Sequence, residues 1–151
     1  MKMKSIFIFL FAFIFAATGF GQSKPEFRAV WISTVSNIDW PKNGEWDSDK
    51  QKESFIRLLN KYKADGFNAV IVQIRPAGDA FYPSAYEPWS QWLTGTQGKA
   101  PVPYYDPLKF MIDETHKRGM EFHAWLNPFR AVFNIKTATL APNHVTKQHP
   151  E

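Results

Sequence analysis

The chain has 151 residues and no cysteine, which excludes disulfide bonds and lipid attachment through an N-terminal cysteine. Lys and Arg total 18 against 14 Asp and Glu, and they are dispersed, so the chain lacks the clustered basic surface by which proteins bind nucleic acid. A length near 150 residues is that of one ordinary domain.

The chain begins with the pattern of a secretory signal peptide over residues 1–21. Lys2 and Lys4 form a short basic segment, residues 6–17 are apolar, and small residues follow. This order is typical of an export signal, and the apolar run is shorter than the ~20 residues of a membrane span. We expect a secreted or periplasmic protein that starts at Gln22 and has no stable membrane span after cleavage. The alternative is an uncleaved N-terminal anchor.

The first strand is predicted at Phe27–Thr34, which is rich in β-branched and aromatic residues. A helix is predicted from Ser48, where Gln51 three residues later completes a capping box. Its apolar side chains recur at helical spacing on one face, at Phe55, Leu58, Leu59 and Tyr62. Gly66 stands where a helix-terminating glycine belongs.

Two more strands follow with the same cadence. The second, Phe67–Arg75, is almost wholly apolar, as are strands covered on both faces in parallel sheets. After the long loop of residues 76–105, Asp106 is predicted to cap a second helix. Gly119 ends that helix and the third strand, Met120–Asn127, follows.

Strands that alternate with helices predict βαβ units and a parallel sheet. The handedness of such crossovers places both helices on one side of the sheet. Long loops after the strands and tight glycine turns before them put function at the carboxyl ends of the strands. The sequence therefore predicts an α/β fold, a partial (β/α)8 TIM barrel whose first three βα units occupy residues 26–151. A doubly wound sheet stays open, and residues 129–151 show no convincing element.

Polar side chains gather toward the ends of the second and third strands. Because side chains alternate between the faces of a strand, Gln73 and Arg75 share one face, as do His123, Trp125 and Asn127. We expect these five residues to converge on one cavity at the mouth of the barrel. The alternative is that they are solvated strand ends.

The loops carry many aromatic rings, which stack on the C–H faces of sugars. The alternative role of these rings is to pin the loops to the barrel rim. The rings are Trp40, Trp46, Phe81, Tyr82, Tyr86, Trp89, Trp92, Tyr104, Tyr105 and Phe129.

Asp79 follows the second strand and is a weak candidate for a carboxylate at the mouth; its alternative role is turn formation. His116 and His123 lie on different elements without a recognised metal spacing. We therefore expect no metal and no cofactor.

Three segments in this order, EFRAVWISTVSNIDWP, FNAVIVQIRPAGDAFYPS and DPLKFMIDETHKRGMEFHAWLNPFR, resemble the glycosyl hydrolase-like 10 family of bacterial secreted proteins. The resemblance runs from about residue 26 to residue 130 and implies an exported TIM-barrel glycoside hydrolase that acts on a glycan. It marks as site residues Arg75, Asp79, His123, Trp125, Asn127 and Arg130. In the family a fourth strand with an aspartate motif follows, and that motif does not occur here. The chain is therefore expected to be a truncated fragment.

Glycoside hydrolysis ordinarily uses two carboxylates, and the sequence offers no convincing pair. The catalytic residues are therefore unknown and are expected on later strands, so we expect this chain alone to be inactive. Its substrate would be a polysaccharide such as bacterial cell-wall glycan. Two alternatives remain: a non-catalytic secreted glycan-binding protein and a periplasmic α/β binding domain of another kind.

Overall fold

A computed structural model describes residues 26–150, so the signal peptide predicted at residues 1–21 lies outside the described residues. The described residues form a mixed α/β fold with a small parallel sheet. Its elements are β1 (Ala29–Ile32), α1 (Ser48–Ala64), β2 (Ala69–Arg75), α2 (Gln91–Thr94), α3 (Pro107–Lys117), β3 (Glu121–Leu126) and α4 (Val145–Gln148), with a 3-10 turn (Val35–Asn37) after β1.

The three strands pair in parallel in the order β1-β2-β3, which confirms the predicted parallel sheet. Each strand is shorter than predicted, and at both ends of β1 the backbone bonds to side chains of neighbouring residues. At the start of the sheet, the Arg28 backbone N–H donates to the Asn68 side chain. At the other end, the Thr34 backbone N–H donates to the Gln73 side chain instead of continuing β1. The strand order is sequential, without a reversal among the described strands.

The predicted capping box of α1 is wrong. The N-cap is Asp47, whose Oδ1 accepts hydrogen bonds from the backbone N–H groups of Asp49 and Lys50 at 3.1 and 3.0 Å. The Ser48 hydroxyl donates instead to the Pro103 carbonyl at 2.6 Å. The Gln51 side chain donates to the Glu45 carbonyl in the loop before α1 and to the Leu93 carbonyl in α2. The Asp47 carboxylate, one residue earlier, accepts hydrogen bonds from the unpaired backbone N–H groups of the first turn. Ser48 and Gln51 therefore bond to neighbouring segments of the chain instead.

The hydrophobic core lies between one face of the sheet and the helices α1 and α3, which contact each other. The predicted apolar face of α1 is confirmed, since Phe55 and Leu59 are fully buried. Burial of each such side chain stabilises the fold by roughly 1.5–3 kcal/mol. The buried members of the core are Ile32, Trp40, Phe55, Leu59, Val70, Val72, Ile74, Phe81, Leu93, Met111 and Met120.

Two short helices lie in segments that were predicted to be irregular. Ser90 caps α2 through its side chain, and Gly95 ends it with a left-handed φ of 80°. In the tail, where no element was predicted, the His144 ring accepts a hydrogen bond from the Thr146 backbone and caps α4. Histidine is outside the usual set of capping residues, which explains why the pattern did not indicate this helix. Within residues 26–150, no helix has both the length and the apolarity needed to cross a membrane.

Candidate functional site

The sheet face opposite the helices carries aromatic side chains in register. Trp31, Ile71 and His123 are paired across the three strands, and Gln73 and Trp125 are paired in the next row toward the carboxyl end. The rings of Trp31 and Trp125 meet edge to face, with centroids 4.9 Å apart. Trp31 is 54% exposed, so this face presents an aromatic surface to solvent. Trp31 was not a predicted site residue, although the alternation that places Trp125 on this face also applies to β1.

Gln73 is fully buried and bonds to the residues that follow β1. Its Oε1 accepts hydrogen bonds from the backbone N–H groups of Thr34 and Val35 at 3.2 and 3.0 Å. Its Nε2 is buried and has no partner among the described residues. A buried donor without a partner costs stability.

Arg75, the last residue of β2, joins two segments at the carboxyl end of the sheet. Its Nε donates to Glu87 Oε1 at 2.9 Å, and its Nη1 donates to the Asn127 carbonyl at 2.9 Å. Burial alone would raise the pKa of Glu87, but hydrogen bonds from Ser84 and Arg75 and the nearby guanidinium charge hold that pKa below its ordinary value. Glu87 is therefore an ionised carboxylate at this edge. Sequence reasoning missed it because nothing in the loop pattern separates Glu87 from other surface acids.

Asn127 lies immediately after β3 and supports the turn that follows. Its backbone N–H donates to the Arg75 carbonyl at 3.0 Å, and its Oδ1 accepts from the Arg130 backbone at 3.1 Å. The Arg130 guanidinium lies over the Phe133 ring at 5.8 Å. Arg75 and Asn127 thus meet directly, whereas Arg130 reaches this group only through its backbone.

His123 and Trp125 stand progressively further along β3. His123 Nε2 lies 3.0 Å from Glu121 Oε2, and its ring meets Phe27 edge to face at 5.4 Å. It is thus placed toward the amino end of the sheet, away from Arg75. Trp125 pairs in register with Gln73 and is closer to the carboxyl end. The structure places His123 and Trp125 on the aromatic face and Arg75 with Asn127 at its rim.

Asp79 is 1% exposed and lies inside the loop that follows β2. Burial raises the pKa of this carboxyl, although hydrogen bonds with Ser90, Ala77 and Gln97 oppose the rise. It borders a cavity of only about 100 Å³. This burial inside the loop corresponds to the loop-forming alternative.

The C-terminal tail, residues 129–150, packs on the same loop. The contact is made by His144, which is fully buried. The His144 Nε2 lies 3.0 Å from the Ala131 carbonyl, and Gly78 passes so close that an added Cβ would lie 2.8 Å from that nitrogen. Across residues 26–150, no group of three or more acidic or histidine side chains is placed to hold a metal ion.

A comparison with protein families matches residues 26–151 to the family described as glycosyl hydrolase-like 10. Among curated proteins, the chain is 54% identical over 131 residues to glycosyl hydrolase YngK of Bacillus subtilis, covering 86% of this chain and 25% of that protein. It is 40% identical over 137 residues to glycosyl hydrolase DigH of Escherichia coli K12, covering 85% of this chain and 31% of that protein. The chain thus spans about a quarter to a third of the length of these relatives.

Among solved structures, an α-L-fucosidase of family GH29 from Bacteroides thetaiotaomicron is similar at a TM-score of 0.42 and 16% identity, over 66% of this chain and 27% of that one.

Proposed function

Because the chain belongs to the glycosyl hydrolase-like 10 family, we propose that it supplies the substrate-binding first part of a glycoside hydrolase. The reaction would be hydrolysis of O-glycosyl bonds in a polysaccharide such as bacterial cell-wall glycan. The observation that carries this proposal is the junction at Arg75, whose guanidinium joins the end of β2 to Glu87 and to the Asn127 carbonyl beyond β3. This junction sets polar groups beside an aromatic face, as carbohydrate recognition requires.

The architecture we propose is that of the first three βα units of a (β/α)8 barrel. Three parallel strands in sequential order, helices α1 and α3 packed on one face and a long loop after β2 support it. In such barrels the loops at the carboxyl ends of the strands form the active site. The aromatic face of the sheet would then point into the barrel, with Trp31 and Trp125 as its lining.

In this arrangement each side chain has a role set by its position. Trp125, with Trp31 beside it, forms a wall against which a sugar ring stacks. Arg75 and Asn127 orient hydroxyl groups at the rim, and His123 lies deeper on the same face. Arg130 would act at the outer edge, where its guanidinium is exposed.

Gln73 would contribute indirectly, since its Oε1 accepts hydrogen bonds from the Thr34 and Val35 backbone and so fixes the chain that leaves β1 beside the aromatic face. We further propose export through the segment of residues 1–21, which places the protein in the periplasm or outside the cell, where cell-wall glycan is found.

The proposal is tested by incubating a full-length relative with purified cell-wall glycan and measuring hydrolysis as the release of reducing ends. Alanine substitution at the positions of Arg75 and Asn127 in a full-length relative should lower kcat/KM by at least about tenfold, since each removes a group that orients substrate. A matched control is substitution at the position of Arg57, which lies on the outer face of α1. Hydrolysis that is unchanged by both site substitutions would remove the proposal.

A second candidate function is a non-catalytic glycan-binding role. It is favoured by the state of the two carboxylates near the site, because Asp79 is buried and Glu87 is bound to Arg75. Neither is placed as the unpaired acid that glycoside hydrolysis requires. Both proposals expect the 151-residue chain alone to release no reducing ends, so a full-length relative separates them. Glycan binding without release of reducing ends by the full-length relative would favour the second role, and release of reducing ends would exclude it.

A further inference from the structure

We infer that a cavity on the outer side of the Arg75–Glu87 pair is a binding subsite for an uncharged pyranose unit of the substrate. The inference rests on the proposed carbohydrate function and adds a second position for a sugar, apart from the aromatic face of the sheet. The cavity has a volume of about 430 Å³, which is within the range of small-molecule sites. Its lining includes Arg75, Tyr86, Glu87, Asn143, Gln148 and His149.

The cavity is formed where two segments face each other beyond the end of β2. One wall is the loop after β2, which presents Tyr86, and the other is the helix α4 with its flanking residues. Tyr86 is 86% exposed although it lies next to the partly buried Glu87. Exposure of the apolar ring to water is unfavourable in the free protein. Stacking of a sugar C–H face on the ring would remove that surface from water.

The floor of the cavity carries a donor and an acceptor side by side. The side chains of Arg75 and Glu87 are 19% and 20% exposed, and their closest atoms are 2.9 Å apart. A guanidinium donates and a carboxylate accepts, so together they match two neighbouring hydroxyl groups, each of which both donates and accepts. Asn143 and Gln148 add amide groups on the opposite wall.

The charge of the floor selects against an acidic sugar. The pKa of Glu87 is lowered, with burial opposing and hydrogen bonds from Ser84 and Arg75 prevailing, so the carboxylate is ionised at neutral pH. The Arg75 guanidinium is already engaged by Glu87 and by the Asn127 carbonyl. At the floor of the cavity, an anionic ligand would therefore meet one negative charge and a cation that is already paired with it, while His149 lies on the opposite wall with α4. The geometry favours a neutral hexose or N-acetylhexosamine.

The experiment is isothermal titration of the 151-residue chain with chitotetraose and cellotetraose as neutral probes and tetragalacturonate as the anionic probe. At least one neutral probe should bind, and Tyr86→Ala should weaken its binding by about tenfold, the change that about 1.4 kcal/mol produces. The matched control is Ile135→Ala, which removes an apolar side chain that is 84% exposed and lies outside the cavity, and it should leave the affinity unchanged. Circular dichroism spectra of all variants check that the fold is retained.

A second variant tests the charge argument separately. Glu87→Gln keeps the shape of the side chain but releases the Arg75 charge, so tetragalacturonate should bind at least about tenfold more tightly to this variant than to wild type. A role limited to holding the loop would not produce that change of ligand preference.

The inference is overturned if no neutral probe binds, if Tyr86→Ala and Ile135→Ala bind equally, or if Glu87→Gln leaves the preference unchanged. Each of these results would leave hydrolysis by a full-length relative unaffected. Conversely, loss of the proposed hydrolase activity would be seen in the reducing-end assay and not in these titrations.

Discussion

Arg75 is the residue on which the carboxyl end of the sheet depends. Its guanidinium holds a loop on one side through Glu87 and a strand end on the other through the Asn127 carbonyl. The position of Arg75 at the end of β2 was predictable from alternation along the strand. Its partners were not, because a hydrogen bond to the Asn127 backbone depends on the pairing of β2 with β3, and this pairing leaves no local mark in the sequence.

Replacement of Arg75 by methionine should destabilise the fold, because it keeps the aliphatic stem but leaves Glu87 half-buried without its cation. We expect the free energy of unfolding to fall by about 1–3 kcal/mol, measured by urea denaturation at neutral pH. The control, Arg57→Met, removes the exposed pair with Glu53 at 3.7 Å and should have no measurable effect, since such surface pairs contribute little. Equal effects of the two substitutions would contradict the assigned role of Arg75.

Asp79 predicts a pH dependence of stability. Burial raises its pKa above the ordinary value of 3.8, so the folded protein holds this proton more tightly than the unfolded chain does. The resulting stabilisation is complete below pH 3.8 and is lost as the pH rises through the folded-state pKa.

Asp79→Asn cannot titrate, so its free energy of unfolding should improve relative to wild type as the pH rises. Urea denaturation at a series of pH values from about 4 to 7 measures this difference. A difference that stays constant over the series would show that the carboxyl is not held in a desolvated site.

At the scale of elements, the sequence predicted the type and order of the long elements well and their ends poorly. The apolar face of α1 and the cap of α3 at Asp106 followed from local patterns and are confirmed. The cap of α1 was assigned one residue late, since Asp47 and Ser48 are both good capping residues. A tertiary contact decides which of the two caps the helix, because the Ser48 hydroxyl donates a hydrogen bond to the Pro103 carbonyl and Asp47 is left as the cap.

The docking of the tail on the loop after β2 is a second property that local patterns do not reveal. Gly78 has a φ of +61°, and a Cβ there would lie 2.7 Å from the Ala131 carbonyl. Gly78→Ala should therefore destabilise the protein by at least about 1 kcal/mol more than Gly44→Ala, because it adds steric conflict to the strain of the left-handed backbone.

Gly44 is the matched control, since its φ is +83° and nothing lies within 4 Å of an added Cβ. Thermal unfolding of both variants gives the comparison. If the two glycine variants have the same stability, the tail does not pack on this loop as described.

For the whole molecule, the alternating pattern was sufficient to predict a parallel α/β sheet. It was not sufficient to predict how the candidate residues divide between an aromatic face and a polar rim. Alternation predicts one strand face for Gln73 and Arg75, but the pairing register with β3 shifts between them, so that Gln73 pairs with Trp125 and Arg75 with Leu126. Gln73 is buried against the exit of β1, whereas Arg75 donates to the Asn127 carbonyl beyond β3. The lengths of the loops and their mutual packing decide this division, and they depend on contacts between residues far apart in the sequence, such as Arg75 with Asn127.

The central claim is that the carboxyl ends of β2 and β3 bind carbohydrate. Chemical-shift mapping of the isotopically labelled chain with chitotetraose tests it most directly. We predict that the perturbed amides cluster at residues 75–87, 125–127 and 143–149, around the Arg75 junction. Perturbations confined to the opposite end of the sheet, around Gly66 and Gly119, would contradict the claim, as would the absence of any perturbation.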